Sequence, residues 1–163
     1  MIEKLCKLAF AMALVVVTLG ALTRLLDAGL GCPDWPGCYG QVIPPSAEEH
    51  HLVEESKAWM EMIHRYVASA LGLVILVIAI AVQSTSNISN KIKWTSRFLL
   101  VLVIVQGLFG MWTVTLKLLP QIVTLHLLGG MAVLATLLLL ILMLRQHEPI
   151  STPTKPKLLS LVV

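Results

Sequence analysis

The chain has 163 residues, of which 57% are hydrophobic and 13% are charged, and its mean hydropathy is +0.87. Soluble domains carry about twice that charged fraction, so the composition excludes an ordinary soluble domain and indicates a membrane protein. The net charge of +3 comes from basic groups that are scattered along the chain without interleaved aromatic residues. This pattern excludes nucleic acid as a partner and leaves the lipid bilayer as the main one.

Four apolar stretches approach the length of about 20 residues that a helix needs to cross a bilayer. They cover residues 5–22, 61–82, 98–116 and 121–144. The first has two preceding lysines, as a signal peptide does, but no small-x-small cleavage site follows it and Arg24 comes soon after. We therefore expect an all-α membrane protein, with four transmembrane helices in one bundle over residues 1–148, an outer loop over 27–60 and a flexible cytoplasmic tail over 149–163.

The basic residues predict the orientation. They precede the first helix, separate the second from the third and follow the fourth: Lys4, Lys7, Lys91, Lys93, Arg97, Arg145, Lys155 and Lys157. Because lysine and arginine collect on the cytoplasmic side, both termini are expected in the cytoplasm. The acidic 27–60 loop is then expected on the outer face of a bacterial-type plasma membrane.

Two cysteines, Cys32 and Cys38, fall in the outer-loop segment GCPDWPGCYG. An oxidising compartment permits a disulfide there. Such a pair either orders the loop as a structural link or exchanges electrons as a redox-active pair, and the sequence leaves both interpretations open. Cys6, at the inner end of the first helix, is interpreted as a free and unreactive thiol.

A weak internal repeat relates the two halves of the predicted bundle. Gly-x-x-Thr occurs near the ends of helices one and three, and HRYVASALGLV in helix two is echoed by HLLGGMAVLA in helix four. Each half is thus a hairpin with a histidine early in its second helix, and parallel repeats of this kind are related by an axis along the membrane normal. The repeat predicts that His64 and His126 face each other at similar depth.

A single histidine on an apolar helix is usually a satisfied polar residue, but two at matching depth indicate a shared ligand. A zinc site needs three or four protein ligands, and the predicted helices offer only Glu61 as a third. A haem iron needs two axial ligands, and several small residues would let helices flank the macrocycle. Those small residues are Ala68, Ser69, Gly72, Gly107, Gly110, Gly129 and Gly130. The sequence therefore favours a bis-histidine haem site with iron ligands His64 and His126.

Three further ionisable residues lie near the predicted site. Arg24 and Arg65 could meet the haem propionates, or could simply extend to the membrane interface. Glu61 precedes His64 by three residues, which puts both on one helical face. A carboxyl beside the haem edge can move protons during an oxidation, whereas the alternative is an anchor in the first turn of helix two, stabilised by the helix dipole.

The chain resembles the haem A synthase family in GALTRLLDAGLGCPDWPGCYG, EMIHRY, QGLFGMWTVTL and PQIVTLHLLGG, which span residues 20–130. Members are similar to two fused four-helix bundles and oxidise the C8 methyl of haem O to the formyl of haem A for cytochrome oxidase. The resemblance implies His64 and His126 as axial ligands, Glu61 as the acidic catalytic residue that is essential to the oxidation, and a disulfide between Cys32 and Cys38. It gives no role to Gln106, Trp112 or Thr113.

The chain departs from the family in holding one four-helix bundle. A homodimer would restore two haem sites around a two-fold axis, and is therefore expected. The resemblance further implies haem b as cofactor, haem O as substrate, electrons from a membrane donor, and haem O synthase or oxidase assembly proteins as partners.

Three functions follow from the sequence. The first is a haem A synthase-like oxidoreductase. The second is a non-catalytic b-type haem protein for electron transfer or haem delivery. The third is a quinone-linked thiol-disulfide oxidoreductase, which a single Cys-x5-Cys pair matches poorly.

Overall fold

Four long helices make up the protein, and the computed structural model describes residues 1–46, Glu48 and residues 54–147. The helices are α1 (Ile2–Leu25), α2 (Glu55–Ser84), α3 (Asn90–Thr115) and α4 (Pro120–His147), with no strand in the described ranges. All four are long and apolar enough to span a membrane. The predicted all-α transmembrane architecture is confirmed, whereas the predicted tail over 149–163 lies outside the described residues.

Two predicted helix boundaries were wrong by several residues. The structure starts α2 at Glu55 rather than at residue 61, and α3 at Asn90 rather than at residue 98. The predictions followed the apolar run, but a helix continues into the polar interface where water and side chains satisfy its ends. At α3 the Ser89 side chain accepts the amide of Ile92 at 3.5 Å as an N-cap. The predicted outer loop over 27–60 therefore ends at residue 54, and Glu61 is not in the first turn of its helix.

The helices form a ring in chain order. α1 packs against α2 and α4, and α3 packs against the same two neighbours. In the described ranges, α2 and α4 make no backbone contact with each other and lie diagonally across the bundle, as do α1 and α3. The two histidine-bearing helices therefore face each other across the bundle.

The internal repeat is visible in how α1 and α3 end. The amide of Ala28 donates to the carbonyl of Thr23, and the amide of Leu118 donates to that of Thr113, both at 2.8 Å. Each end turns through a non-glycine residue of positive φ, Asp27 at 50° and Lys117 at 49°. Corresponding residues of α1 and α3 thus differ by 90 in number, and the two hairpins share one framework.

Buried apolar residues form two separate clusters. The larger fills the end of the bundle that includes Cys6, Leu71, Leu99 and Leu137. The smaller joins the disulfide loop to the start of α2: Cys32, Cys38, Ala58 and Met62.

Between the two clusters lies a layer with little buried apolar side chain. It comprises residues 14–22 of α1, 63–70 of α2, 100–113 of α3 and 121–132 of α4, and Gln106 is its one buried residue. Along α2 the layer is roughly 13 Å deep at 1.5 Å per residue. We call it the histidine layer, because His64 and His126 both lie in it.

Candidate haem site and the disulfide loop

A compact loop covers the start of α2, and a disulfide closes it. Cys32 and Cys38 are bonded and both fully buried. Asp34 orders the turn that follows Cys38, because its carboxylate accepts the amides of Tyr39 and Gly40, each at 2.7 Å. We call residues 31–41 the disulfide loop.

The disulfide loop lies directly on α2. A Cβ added at Gly31 would be 2.5 Å from the carbonyl carbon of Lys57, closer than real Cβ contacts come. Glycine is required there because only a residue without a side chain allows this approach.

Glu61 and Arg65 attach the loop to α2 through polar contacts. The Glu61 carboxylate is buried, accepts the amide of Cys32 at 3.0 Å and pairs with Arg65, one turn along the helix. Arg65 in turn donates through Nη1 to the carbonyls of Asp34 at 3.0 Å and Gly37 at 2.6 Å. Glu61, which the sequence predicts to be catalytic, is therefore a structural link between the disulfide loop and the bundle.

His64 and His126 occupy equivalent places in the two hairpins. Both rings are half-buried in the histidine layer, and they are close enough to interact electrostatically. The backbone of Val16 on α1 approaches His64, and the backbone of Gln106 on α3 approaches His126. Val16 and Gln106 are themselves 90 residues apart, so the repeat extends to the surroundings of each histidine.

Glycine makes room for each imidazole. A Cβ at Gly20 would lie 3.0 Å from Cε1 of His64, and a Cβ at Gly110 would lie 3.4 Å from Cε1 of His126. These are the glycines of the two Gly-x-x-Thr matches. The repeat was recognised from the sequence, but its glycines were not connected with the histidines, because the spacing within a helix does not reveal which neighbour it packs against.

The donor set of the histidine layer suits a haem iron. Nδ1 of each ring is buried and has no hydrogen-bond partner among the described residues. Within those residues, no group of three histidine, cysteine or acidic side chains could hold a metal ion, so the two imidazoles are the available donors. Imidazole nitrogens on opposite helices, each ring with a backbone carbonyl nearby to orient it, are donors that would fit a haem iron held between them.

The other predicted residues lie apart from the two rings. Arg24 ends α1 with an exposed side chain and is 3.9 Å from the Asp27 carboxylate. Cys6 is buried and free, as predicted, in the larger apolar cluster. Sequence reasoning missed Asp34, although an acidic side chain followed by glycine in a short loop is a common turn-forming signal.

The fold and site together define an integral membrane protein of four helices that presents two facing imidazoles. Comparison with known sequences agrees with that class. The family model described as cytochrome oxidase assembly protein matches residues 3–163. The chain is 42% identical over 160 residues to the haem A synthase of Shewanella oneidensis, covering 92% of this chain and 48% of that protein. It is 32% identical over 131 residues to the haem A synthase of Alkalihalophilus pseudofirmus, covering 79% and 42% respectively.

A further similarity connects the chain to a protein of haem modification. It is 34% identical over 123 residues to protoheme IX farnesyltransferase 1 of Natronomonas pharaonis, covering 76% of this chain and 24% of that protein. The chain belongs to the haem A synthase family of cytochrome oxidase assembly proteins. It spans about half the length of the curated haem A synthases it matches.

Proposed function

We propose that this protein is a haem A synthase-like membrane oxidoreductase. It binds haem between His64 and His126 and oxidises the C8 methyl of haem O to a formyl group for cytochrome oxidase. The observation that carries the proposal is the pair of half-buried imidazoles, each with a partnerless buried Nδ1, on diagonally opposed helices. Family membership supports the reaction, because the relatives it matches are named haem A synthases.

The bound haem supplies redox chemistry, either as haem b or as the substrate haem O. The protein itself holds the haem through the imidazole rings of His64 and His126 and accepts the protons that the oxidation releases. Converting a methyl to a formyl group, with the added oxygen counted as water, releases four protons and four electrons. The step as balanced here therefore needs a membrane electron acceptor, and not the membrane electron donor that the family resemblance implies. Glu61 is the acidic side chain at the outer edge of the histidine layer, so we assign it the role of proton acceptor.

Of the two arginines expected at the propionates, Arg24 is the better candidate. Arg24 lies four residues after Gly20, so it shares a helical face with the glycine that touches His64, and its side chain is 59% exposed. The Nη1 and Nη2 groups of Arg65 already donate to Glu61 and to loop carbonyls, which leaves less of that guanidinium for a ligand.

The second candidate is a non-catalytic b-type haem protein that transfers electrons or delivers haem. The same imidazole pair supports it, because two histidines would hold a haem whether or not the haem is then oxidised. The thiol-disulfide alternative has weaker support: the third cysteine, Cys6, lies in the larger apolar cluster and far from the disulfide loop, so a second redox pair is missing from this 163-residue sequence.

Absorption spectroscopy tests the haem site. We expect the detergent-purified protein to give a low-spin bis-histidine spectrum in the reduced-minus-oxidised difference. His64→Ala and His126→Ala should lose it, whereas His147→Ala, at the far end of α4, should keep it. A wild-type protein that takes up no haem when haem is supplied in culture would refute both haem functions.

Haem extraction separates the two candidates. In cells that make haem O, the wild type should yield formyl haem and Glu61→Ala should yield none while retaining bound haem. Haem binding without any formyl product in the wild type would favour the b-type carrier.

We further propose a homodimer in a bacterial plasma membrane, with the disulfide loop outside and haem O synthase or oxidase assembly proteins as neighbours. Two copies around a two-fold axis would provide two haem sites. Native mass spectrometry should give twice the 17.8 kDa chain mass plus haem.

The proposed topology is tested by labelling. A membrane-impermeant thiol reagent should label Ser46→Cys and not Ser86→Cys in intact spheroplasts. The reverse labelling would show that the disulfide loop is on the cytoplasmic side.

A further inference from the structure

Gln106 is a largely buried glutamine whose side-chain amide has no hydrogen bond to the described residues. Its side chain is 9% exposed, and it is the one buried residue of the histidine layer. The described residues provide no hydrogen bond to its side chain, although a primary amide offers two donors and one acceptor. The fully buried polar side-chain atoms without a partner in the described residues are Nδ1 of His64 and of His126, so the amide atoms of Gln106 are accessible to a ligand.

The absence of a side chain at Gly129 leaves a slot on α4 for the Gln106 side chain. A Cβ at Gly129 would lie 1.7 Å from Nε2 of Gln106, so the amide occupies the space that any other residue's side chain would need. Gly129 follows His126 by three residues on the same helix, which places the slot one turn farther from the disulfide loop than the imidazole. The amide is therefore held beside the space between the two histidines, on the side away from the arginines.

The repeat shows that neither the fold nor ligation needs an amide here. The counterpart of Gln106 in the first hairpin is Val16, 90 residues earlier, and its backbone approaches His64 just as that of Gln106 approaches His126. An apolar side chain serves the equivalent position. The amide is thus specific to one hairpin.

We propose that Gln106 is a specificity-determining residue that hydrogen-bonds a hydroxyl on the edge of the haem opposite its propionates. This inference rests on the proposed function. Propionates are anionic and favour the end of the layer where Arg24 and Arg65 lie, so the opposite edge faces Gln106. Haem b carries only vinyl and methyl groups on that edge, whereas haem O carries a hydroxyethylfarnesyl group in place of one vinyl, with its hydroxyl next to the ring. The amide accordingly selects haem O over haem b.

Competition between the two haems tests the inference. The purified protein is stripped of haem, titrated with haem O and with haem b, and followed by the low-spin absorption of the bis-histidine complex. Gln106→Met keeps the length of the side chain and removes both kinds of hydrogen bond. It should weaken haem O about tenfold, the size expected for one lost hydrogen bond, and leave haem b within about twofold.

Two further variants keep the result interpretable. Gln106→Val copies the residue of the first hairpin and should give the same loss of preference, even if Gln106→Met folds poorly. Gln121→Leu, an exposed glutamine at the start of α4, should change neither affinity. Equal weakening of both haems, or an unchanged ratio, would overturn the role of Gln106 while leaving the haem site intact. A wild type that forms no low-spin complex with either haem would overturn the proposed function and this inference together.

Discussion

Glu61 illustrates what single residues disclose in the sequence and what they do not. Its spacing from His64 predicted a shared helical face. The structure shows that its side chain is buried, as a carboxylate near a catalytic centre would be. The sequence could not show that Arg65 and the amide of Cys32 both contact its carboxylate, because one of those partners is 29 residues away along the chain. A long-range backbone contact leaves no pattern in a single sequence.

Gly20 gives the sharpest test at the scale of one residue. Gly20→Ala would put a methyl group 3.0 Å from Cε1 of His64, so the ring must shift and lose alignment with a bound iron. We expect haem affinity to fall about tenfold, a loss on the order of 1.4 kcal/mol, measured by haem titration of the stripped protein.

Two matched glycine variants serve as controls. Gly72→Ala, on α2 with open space around the added methyl, should leave haem affinity unchanged. Gly110→Ala, where the methyl would meet His126 at an ordinary 3.4 Å, should have a smaller effect than Gly20→Ala. Equal behaviour of all three variants would mean that packing at Gly20 does not control the position of His64.

At the scale of elements, the four helices were predictable because apolar runs of membrane length are a strong signal. The helix ends were harder to predict. Residues 55–60 belong to α2 and residues 90–97 to α3, although their low hydropathy left them outside the predicted helices. The docking of the disulfide loop was not predictable either. It depends on Arg65 meeting carbonyls of Asp34 and Gly37, which are main-chain atoms without a residue-type signature.

Arg65→Ala should release the disulfide loop from α2. The change removes the donor of several loop contacts and leaves the Glu61 carboxylate without its cation, and breaking a buried ion pair is strongly destabilising. The disulfide is fully buried in the wild type. We expect a water-soluble phosphine to reduce it at least about tenfold faster in Arg65→Ala, as measured by mass-tagging of the freed thiols.

Arg24→Ala is the matched control for that experiment. Arg24 is also at the loop end of the bundle, but its ion pair with Asp27 is exposed, and such pairs contribute little. Its reduction rate should equal that of the wild type. If Arg65→Ala also kept the wild-type rate, the covalent bond alone would be holding the loop in place.

For the whole molecule, the sequence repeat predicted the facing histidines and the hairpin pairs, since helices in chain order form a ring with α2 and α4 opposed. It did not predict that burial falls into two clusters with the histidine layer between them. That layering depends on which apolar residues find partners, and nearly every residue in a membrane span is apolar. Composition therefore cannot tell a packed level of the bundle from a loosely packed one.

The disulfide provides a prediction at this scale. Polar contacts of Asp34, Glu61 and Arg65 hold the loop independently of the sulfur bond. A variant with both Cys32→Ser and Cys38→Ser should lose about 2 kcal/mol of stability, as expected for opening so short a covalent loop, and keep its haem spectrum. Thermal unfolding in detergent and the reduced-minus-oxidised spectrum measure the two effects.

Formyl haem yield then decides between the two interpretations of the cysteine pair. A structural link predicts a yield from the double serine variant that falls only in proportion to the folded protein. A yield of zero from folded, haem-loaded variant would show that the pair exchanges electrons.

The two hairpins differ most in the length of their connections. α1 and α2 are joined by residues 26–54, whereas α3 and α4 are joined by residues 116–119 alone. Since the helix registers match on both sides, the longer connection amounts to an insertion into an otherwise duplicated scaffold. Such a segment can vary in length and sequence wherever it does not contact α2, so the connection and the four-helix frame can change at separate rates.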